Sequence, residues 1–177
     1  MTPEILEFLK QMSTYIGPDR TVFEVGSYNV NGSARTAISH KQWIGVDMAK
    51  GPDVDYVVDE AEIYASFLKT HQYYPDLFVC CECLEHTRDP IATVNEIKKA
   101  MKFAKKNNPD SKNGCYLILT SPGYHFQYHA YPRDYWRFST DTFQDVFFDG
   151  LEIVYSGYLD SNEGKNTTVA GVAKLPS

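Results

Sequence analysis

Long apolar runs, a surplus of basic charge and a basic leader are all missing from this sequence of 177 residues. Without a long uncharged apolar stretch, the chain is predicted to have no membrane span. Lys and Arg number 17 against 23 acidic residues, for a net charge of -6, which argues against a nucleic-acid-coating protein, because phosphate binding needs surplus Lys and Arg. The first ten residues lack a basic n-region and contain Glu4 and Glu7, so we do not expect them to form a signal peptide.

Cysteine is also scarce, and its distribution excludes a secreted disulfide framework. Of the four cysteines, Cys80, Cys81 and Cys83 lie within four residues, and Cys115 is alone. We therefore predict a cytoplasmic protein. The short cluster together with His86 does not indicate a metal site, because neighbouring strand residues point to opposite faces and the spacing matches no common zinc pattern. No metal is predicted.

The remaining pattern is an alternation of helical and strand-like segments in one domain, residues 1–177. This order favours an α/β fold with a mainly parallel sheet. The predicted elements are an N-terminal helix within 1–20, helices at 33–40, 61–71, 90–106 and 140–148, strands at 21–26, 42–47, 54–59, 76–81 and 115–120, and a late hairpin of 151–158 and 167–173.

Acidic residues follow three consecutive predicted strands, beside a glycine turn. In open α/β sheets the ligand binds at the carboxyl ends of the strands. A dinucleotide site needs the pattern G-x-G-x-x-G, but Gly26 is followed by Tyr28 and Asn31 at the second and third positions. Asp47, about twenty residues further on, suits a ribose diol. The ligand is therefore predicted to contain a ribose and no pyrophosphate.

Aromatic residues are concentrated in one segment, with seven in the fifteen residues 124–138. We interpret 121–138 as a loop on the substrate side, because aromatic faces and Arg stack on sugars and rings. The alternative is a lid that only packs on the core. The predicted substrate-contacting residues are Tyr124, Tyr131, Arg133, Tyr135, Trp136 and Arg137.

Five motifs in order carry a family resemblance. They are VFEVGSYNVNGSAR (22–35), WIGVDMAKGPDVDYVVD (43–59), DLFVCCECLEHTRDP (76–90), GCYLILTSPG (114–123) and HAYPRDYWRF (129–138). Together they resemble class I (Rossmann-like) S-adenosylmethionine-dependent methyltransferases, in particular small bacterial and phage members. The resemblance implies a three-layer sandwich around a seven-stranded, mostly parallel sheet with an antiparallel edge hairpin, and S-adenosyl-L-methionine as the cofactor.

The resemblance also implies a role for each matching residue. The cofactor-binding residues would be Glu24, Gly26 and Ser27 at the methionine part, Asp47 at the ribose hydroxyls, Met48 on the adenine, Asp59 and Glu60 near the adenine edge, and Cys81 and Glu82 beside the sulfonium. The glycine-rich loop departs from the family pattern, since Tyr28 and Val30 replace two of its glycines.

Three histidines are candidate catalytic residues, namely His86, His125 and His129. Histidine suits proton transfer near neutral pH, although each of them could instead orient the substrate or serve the structure. The predicted acceptor is an oxygen or nitrogen of a small molecule or glycan. No Asn/Asp-Pro-Pro-Tyr/Phe motif and no Pro-Cys dipeptide occurs, which argues against methylation of DNA amino groups and of cytosine C5.

Two other classes of protein stay open. The irregular glycine loop leaves room for a non-catalytic scaffold or regulator that keeps the fold, and the ribose-binding acid leaves room for an NAD-dependent enzyme. The sequence is compatible with a homodimer and does not determine the oligomeric state.

Overall fold

The structure is a computed structural model that describes residues 1–59, 64–108, 114–130, 133–160 and 167–177. Its elements follow the predicted order. They are α1 (Pro3–Ile16), β1 (Arg20–Val25), a 3-10 turn (Ala34–Thr36), β2 (His40–Asp47), β3 (Tyr56–Val57), α2 (Tyr64–His71), β4 (Leu77–Cys81), a second 3-10 turn (Leu84–His86), α3 (Pro90–Asn107), β5 (Tyr116–Pro122), a π-helix (Thr142–Phe147), β6 (Glu152–Asp160) and β7 (Thr167–Lys174).

The N-terminal helix α1 has the signals that begin and end a helix. Thr2 is the N-cap, its hydroxyl accepts a hydrogen bond from the backbone of Ile5, and Pro3 occupies the first helical position. Gly17 ends the helix with a φ of 95°, a conformation that favours glycine. Within residues 1–20 the helix therefore spans Pro3–Ile16, and Arg20 already belongs to β1.

Seven strands form one sheet in the order β3-β2-β1-β4-β5-β7-β6. The first five in this order are parallel to one another, whereas β7 is antiparallel to both β5 and β6. The predicted architecture is confirmed, including the antiparallel edge hairpin. The carboxyl ends of the parallel strands all lie at the same end of the sheet, and the functional site is expected there.

Each face of the sheet has its own hydrophobic core. On one face α1 packs on alternate residues of the central strands, with Ile5 and Leu9 in the same cluster as Val22 and Val79. On the other face α2, α3 and the π-helix pack over the intervening strand residues. Neighbouring residues of a strand therefore lie on opposite faces of the sheet. Cys80 packs on the α3 face and Cys81 packs on the α1 face.

The helix predicted at 33–40 is wrong. Only a single 3-10 turn, Ala34–Thr36, forms there, and the Ser33 hydroxyl caps it by accepting from the Arg35 backbone. Because β2 begins at His40, too few residues remain for a regular helix. Ala34 and Ile38 nevertheless fill the α1 face of the core.

Among the described residues, no helix combines the length and the apolar character that a membrane crossing requires.

Candidate active site

The turn after β1 packs directly on the turn after β4. Gly26 has a φ of +78°, and its N–H and that of Ser27 both donate to the Val46 carbonyl. A Cβ atom at Gly26 would lie 2.6 Å from the Cys83 sulfur, so any larger residue would push the two turns apart. The contact brings together two segments that the resemblance assigns to one cofactor, 24–27 and 81–82.

Asp47, at the carboxyl end of β2, is oriented by the backbone. Its Oδ2 accepts from the Tyr28 N–H at 3.1 Å, and its Oδ1 accepts from the Ala49 N–H at 3.0 Å. Each carboxylate oxygen keeps a second lone pair, so the group can still accept from two ligand hydroxyls. The next residue, Met48, is 57% exposed and offers an apolar surface beside this carboxylate.

The loop that lacks its glycines is held by side-chain contacts. Tyr28 lies over Gly51, where an added Cβ atom would be 2.1 Å from the Tyr28 ring. Asn29 donates to Asp53 Oδ2 at 2.9 Å, and the Gly32 N–H donates to Asn29 Oδ1 at 2.9 Å. The Tyr28 ring is therefore accommodated by the loop after β2.

Glu24 is a buried acid near the end of β1. Its exposure is 3%, and the Trp43 indole N–H donates to its Oε2 at 2.9 Å. Burial raises the pKa of Glu24 to about 8, against the smaller opposing effect of the Trp43 hydrogen bond. The free protein thus holds this carboxyl largely protonated at neutral pH.

Replacing Glu24 with Gln is expected to flatten the dependence of stability on pH. Since the pKa is raised above its usual value of 4.5 to about 8, the native state keeps a proton that the unfolded chain loses between these pH values. The free energy of unfolding therefore falls as pH rises through this window, by at most about 1.4 kcal/mol per pH unit. Urea unfolding of the wild type and Glu24→Gln at pH 5, 7 and 9 measures the difference.

The exposed Glu7→Gln variant is the matched control for this experiment, and its stability difference from the wild type should not change with pH. A Glu24→Gln difference that stays constant from pH 5 to 9 would contradict the raised pKa.

Beyond β4 the chain makes a strained, acidic turn. Glu82 has a φ of 50°, a left-handed conformation that is uncommon for residues other than glycine and that often marks a ligand site. Thr120 donates to Glu82 Oε1 at 3.1 Å. Burial, and next the charge of Glu85, raise the pKa of Glu82 to about 8. Cys81 is 6% exposed beneath this turn, and burial raises the pKa of its thiol.

Two of the three candidate histidines meet around a fully buried acid, Glu85. Its Oε1 lies 3.5 Å from His86 Nε2 and 3.3 Å from His129 Nε2, and the two rings are 5.2 Å apart. Ser121 donates to its Oε2 at 2.8 Å. The bond to Glu85 is the main reason why the pKa of His129 is raised. We call Glu85, His86 and His129 the Glu–His–His cluster.

His125 lies apart from this cluster. It is exposed in the turn after β5 and has a φ of 68°. Two acids that the sequence pattern did not single out, Glu85 and Asp134, contact the histidines instead. The segment ECLEH contains Glu85, but it gave no sign of which of its acids would be buried.

The aromatic loop is anchored to the cluster side of the sheet. The Tyr135 N–H donates to the Glu85 carbonyl at 2.8 Å, and the Trp136 indole N–H donates to the Thr87 carbonyl at 2.9 Å. Both side chains nevertheless stay exposed, at 46% for Tyr135 and 42% for Trp136, as does Tyr124 at 61%. These exposed rings are available to contact a substrate.

Arg137 organises this loop from within. Its guanidinium forms a two-pronged ion pair with Asp134 and also donates to the Phe126 and Gln127 carbonyls. The hydrogen bond from Arg137 lowers the pKa of Asp134 to about 2. Asp134 in turn accepts a hydrogen bond from the backbone N–H of His129 at 2.8 Å. Arg137 therefore has a structural use in addition to the substrate contact that the sequence predicts.

The other predicted site residues are placed as follows. Ser27 is buried in the β1 turn, Asp59 is exposed beyond β3, and Arg133 is exposed with its carbonyl facing His86. Glu60 and Tyr131 lie outside the described residues.

Several solved structures share this fold. A 1,6-didemethyltoxoflavin-N1-methyltransferase of Burkholderia thailandensis, with S-adenosylhomocysteine and 1,6-didemethyltoxoflavin bound, has a TM-score of 0.59 and 11% identity over 97% of this chain and 78% of that chain. The N-methyltransferase NodS of Bradyrhizobium japonicum WM9, in complex with S-adenosylhomocysteine, has a TM-score of 0.60 and 14% identity over 98% of this chain and 87% of that chain.

A third structure is the N-terminal domain of EvdMO1 in the presence of S-adenosylhomocysteine and D-fucose. Its TM-score is 0.59 at 12% identity, over 99% of this chain and 84% of that chain. No protein-family model matches the chain, and no curated protein sequence matches it either. The chain therefore has the class I methyltransferase fold. At these identities the likeness defines the fold, and the activity has to be argued from the site.

Proposed function

We propose that this protein is an S-adenosylmethionine-dependent methyltransferase acting on an oxygen or nitrogen of a small-molecule or glycan acceptor. The observation that carries the proposal is Asp47, whose two oxygens are oriented by backbone N–H groups beside the tight Gly26 turn. This arrangement suits a ribose diol and offers no cradle for a pyrophosphate. The solved structures with S-adenosylhomocysteine bound, which share the fold, support the same cofactor.

The reaction would be an in-line displacement at the methyl carbon. A lone pair of the acceptor forms the new bond to carbon while the carbon–sulfur bond breaks, and its electron pair passes to the sulfonium, which becomes the neutral thioether of S-adenosylhomocysteine. An acceptor hydroxyl or amine also gives up a proton, which passes to a base, and His86 and His129 are the candidates for that base. The cofactor supplies the leaving group, so the protein mainly aligns the reactants and excludes water, which can contribute about 7–11 kcal/mol.

The acceptor pocket would lie between the turn after β4 and the aromatic loop. Exposed aromatic rings at Tyr124, Tyr135 and Trp136 provide faces for a sugar or a planar ring. Two of the similar proteins are named as N-methyltransferases, which supports a nitrogen acceptor. The third was crystallised in the presence of D-fucose, which supports a sugar acceptor.

All four cysteines are free thiols, in keeping with a reducing, cytoplasmic location.

Calorimetric titration with S-adenosylmethionine, S-adenosylhomocysteine and NAD tests the proposal. We expect micromolar binding of the first two and none of NAD, followed by release of S-adenosylhomocysteine when sugars and small phenols are screened as acceptors. Binding of NAD alone would favour a nucleotide-dependent oxidoreductase. Binding of none of the three would favour a scaffold that keeps the fold without turnover.

A further inference from the structure

The Glu–His–His cluster has the geometry of a metal site. Its three ligand atoms, one from each residue, lie within 4.8 Å of one another. The Glu85 side chain is fully buried, and its Oε1 faces both histidine rings, at 3.5 Å from His86 Nε2 and 3.3 Å from His129 Nε2. We propose that Glu85, His86 and His129 bind a first-row divalent cation such as zinc, cobalt or manganese.

The two separations between the carboxylate oxygen and the histidine nitrogens fit this proposal. A tetrahedral ion with bonds of about 2.1 Å holds its ligand atoms about 3.4 Å apart. Oε1 of Glu85 lies 3.5 Å from Nε2 of His86 and 3.3 Å from Nε2 of His129. Two imidazoles and one carboxylate are a donor set that suits first-row transition metals and zinc, and three protein ligands leave at least one position open for a further ligand.

His86 and Glu85 each make a second hydrogen bond that orients the side chain, as ligands in metal sites usually do. His86 donates from Nδ1 to the Arg133 carbonyl at 2.5 Å, which fixes the tautomer with a free lone pair on Nε2. Glu85 is anchored through its other oxygen by the Ser121 hydroxyl at 2.8 Å.

The outer nitrogen of His129 faces a carboxylate without a hydrogen bond to it. Its Nδ1 lies 3.4 Å from Asp134 Oδ2, and Asp134 is itself held by Arg137. A carboxylate behind a histidine is a common arrangement around bound metals. Arg137 would therefore act on the cluster indirectly, by keeping Asp134 in place behind His129.

A protonated His129 paired with Glu85 is the alternative use of the same geometry. The two states exclude each other at Nε2 of His129, because a cation needs the lone pair that the proton occupies. The proposed site is distinct from the Cys80–Cys83 group, whose members point to opposite faces of the sheet.

A bound cation would also favour a hydroxyl over an amine as acceptor. A coordinated hydroxyl is more acidic, so its proton can pass to water and its oxygen can then attack the methyl carbon. In this role the histidines are ligands and not the proton acceptors that the sequence predicts. This use of the cation rests on the proposed function, whereas cation binding itself does not.

Titration of the metal-free protein with Co²⁺ tests the proposal through the visible absorption of the coordinated ion and through calorimetry. We expect one equivalent of Co²⁺ to bind, Zn²⁺ to displace it and Mg²⁺ to leave it in place. His129→Gln should weaken binding by at least about 100-fold, and Asp134→Asn by about 10-fold. His125→Gln, which removes an exposed histidine outside the cluster, should leave cobalt binding unchanged.

The absence of a visible cobalt spectrum, or equal affinity in the wild type and His129→Gln, would overturn the proposal. His129 is partly exposed, so its substitution is expected to fold, and circular dichroism checks this for every variant. The titrations with S-adenosylmethionine are read separately. If cobalt binds at the cluster and the cofactor does not bind, the proposed function fails while the metal site stands.

Discussion

Replacing Asp47 with Ala is expected to weaken the binding of S-adenosylmethionine by about 100-fold or more. The carboxylate oxygens are already oriented by the Tyr28 and Ala49 backbones, so little ordering is needed when two ribose hydroxyls arrive. A hydrogen bond to a charged group contributes about 1.5–3 kcal/mol, and two such bonds are lost together. Calorimetric titration of both proteins with S-adenosylmethionine and S-adenosylhomocysteine gives the ratio of dissociation constants.

Two further variants make this experiment specific. Asp47→Asn keeps one carbonyl acceptor, so its loss of affinity should fall between those of the wild type and Asp47→Ala. Asp145→Asn removes a charge of the same kind from an exposed position on the π-helix, and its affinity should not change. If Asp47→Ala binds the cofactor as tightly as the wild type, the ribose assignment is wrong and the scaffold hypothesis gains support.

Replacing Asp76 with Ala is expected to lower the free energy of unfolding by about 3–5 kcal/mol. Asp76 pairs through Oδ2 with the buried guanidinium of Arg20 at 3.1 Å, and its Oδ1 accepts from the Thr21 N–H at 3.0 Å. Arg20 also donates to the carbonyls of Ile16 and Gly114, which connects α1 and the start of β5 to this pair. Removing the carboxylate takes away the acidic partner of the buried Arg20 guanidinium.

The Arg20–Asp76 pair lies at the amino end of the sheet, beside a cavity of about 480 Å³ and opposite the candidate active site. Urea unfolding of the wild type and Asp76→Ala measures the loss, with Asp145→Ala as an exposed control. The double variant Arg20→Met/Asp76→Leu should lose less than the sum of its single variants, because the charges are removed together. An Asp76→Ala protein within about 1 kcal/mol of the wild type would show that the pair adds little.

Most secondary structure was predictable because its signals are local. Thr2, Pro3 and Gly17 begin and end α1, and the inward positions Val94 and Ile97 of α3 recur at helical spacing. The late hairpin was also predicted and lies at the sheet edge. The helix at 33–40 failed because the local pattern does not show how much chain β2 takes. Once β2 begins at His40, only one turn remains.

The candidate site divides in the same way. Gly26 and Asp47 lie in short motifs that already make them candidates, although their contacts come from other segments, from Cys83 for Gly26 and from Tyr28 for Asp47. Glu85 could not be distinguished from Glu82 in the sequence, because its burial depends on β5 through Ser121 and on the aromatic loop through Tyr135. Arg137 has the pattern of a substrate contact, and its hydrogen bonds to the Phe126 and Gln127 carbonyls depend on how that loop folds back.

The sequence by itself determined the elements, the class of fold and the edge of the sheet where chemistry is expected, since periodicity, caps and strand-end motifs act over a few residues. Only the tertiary structure decided which side chains meet. Glu85 and His129 belong to segments far apart in the chain. The distance of 3.3 Å between Glu85 Oε1 and His129 Nε2 depends on the register of β4 with β5 and on the packing of the loop that follows. Burial likewise raises the pKa of Glu24 and of Glu82, and no local pattern in the sequence encodes that burial.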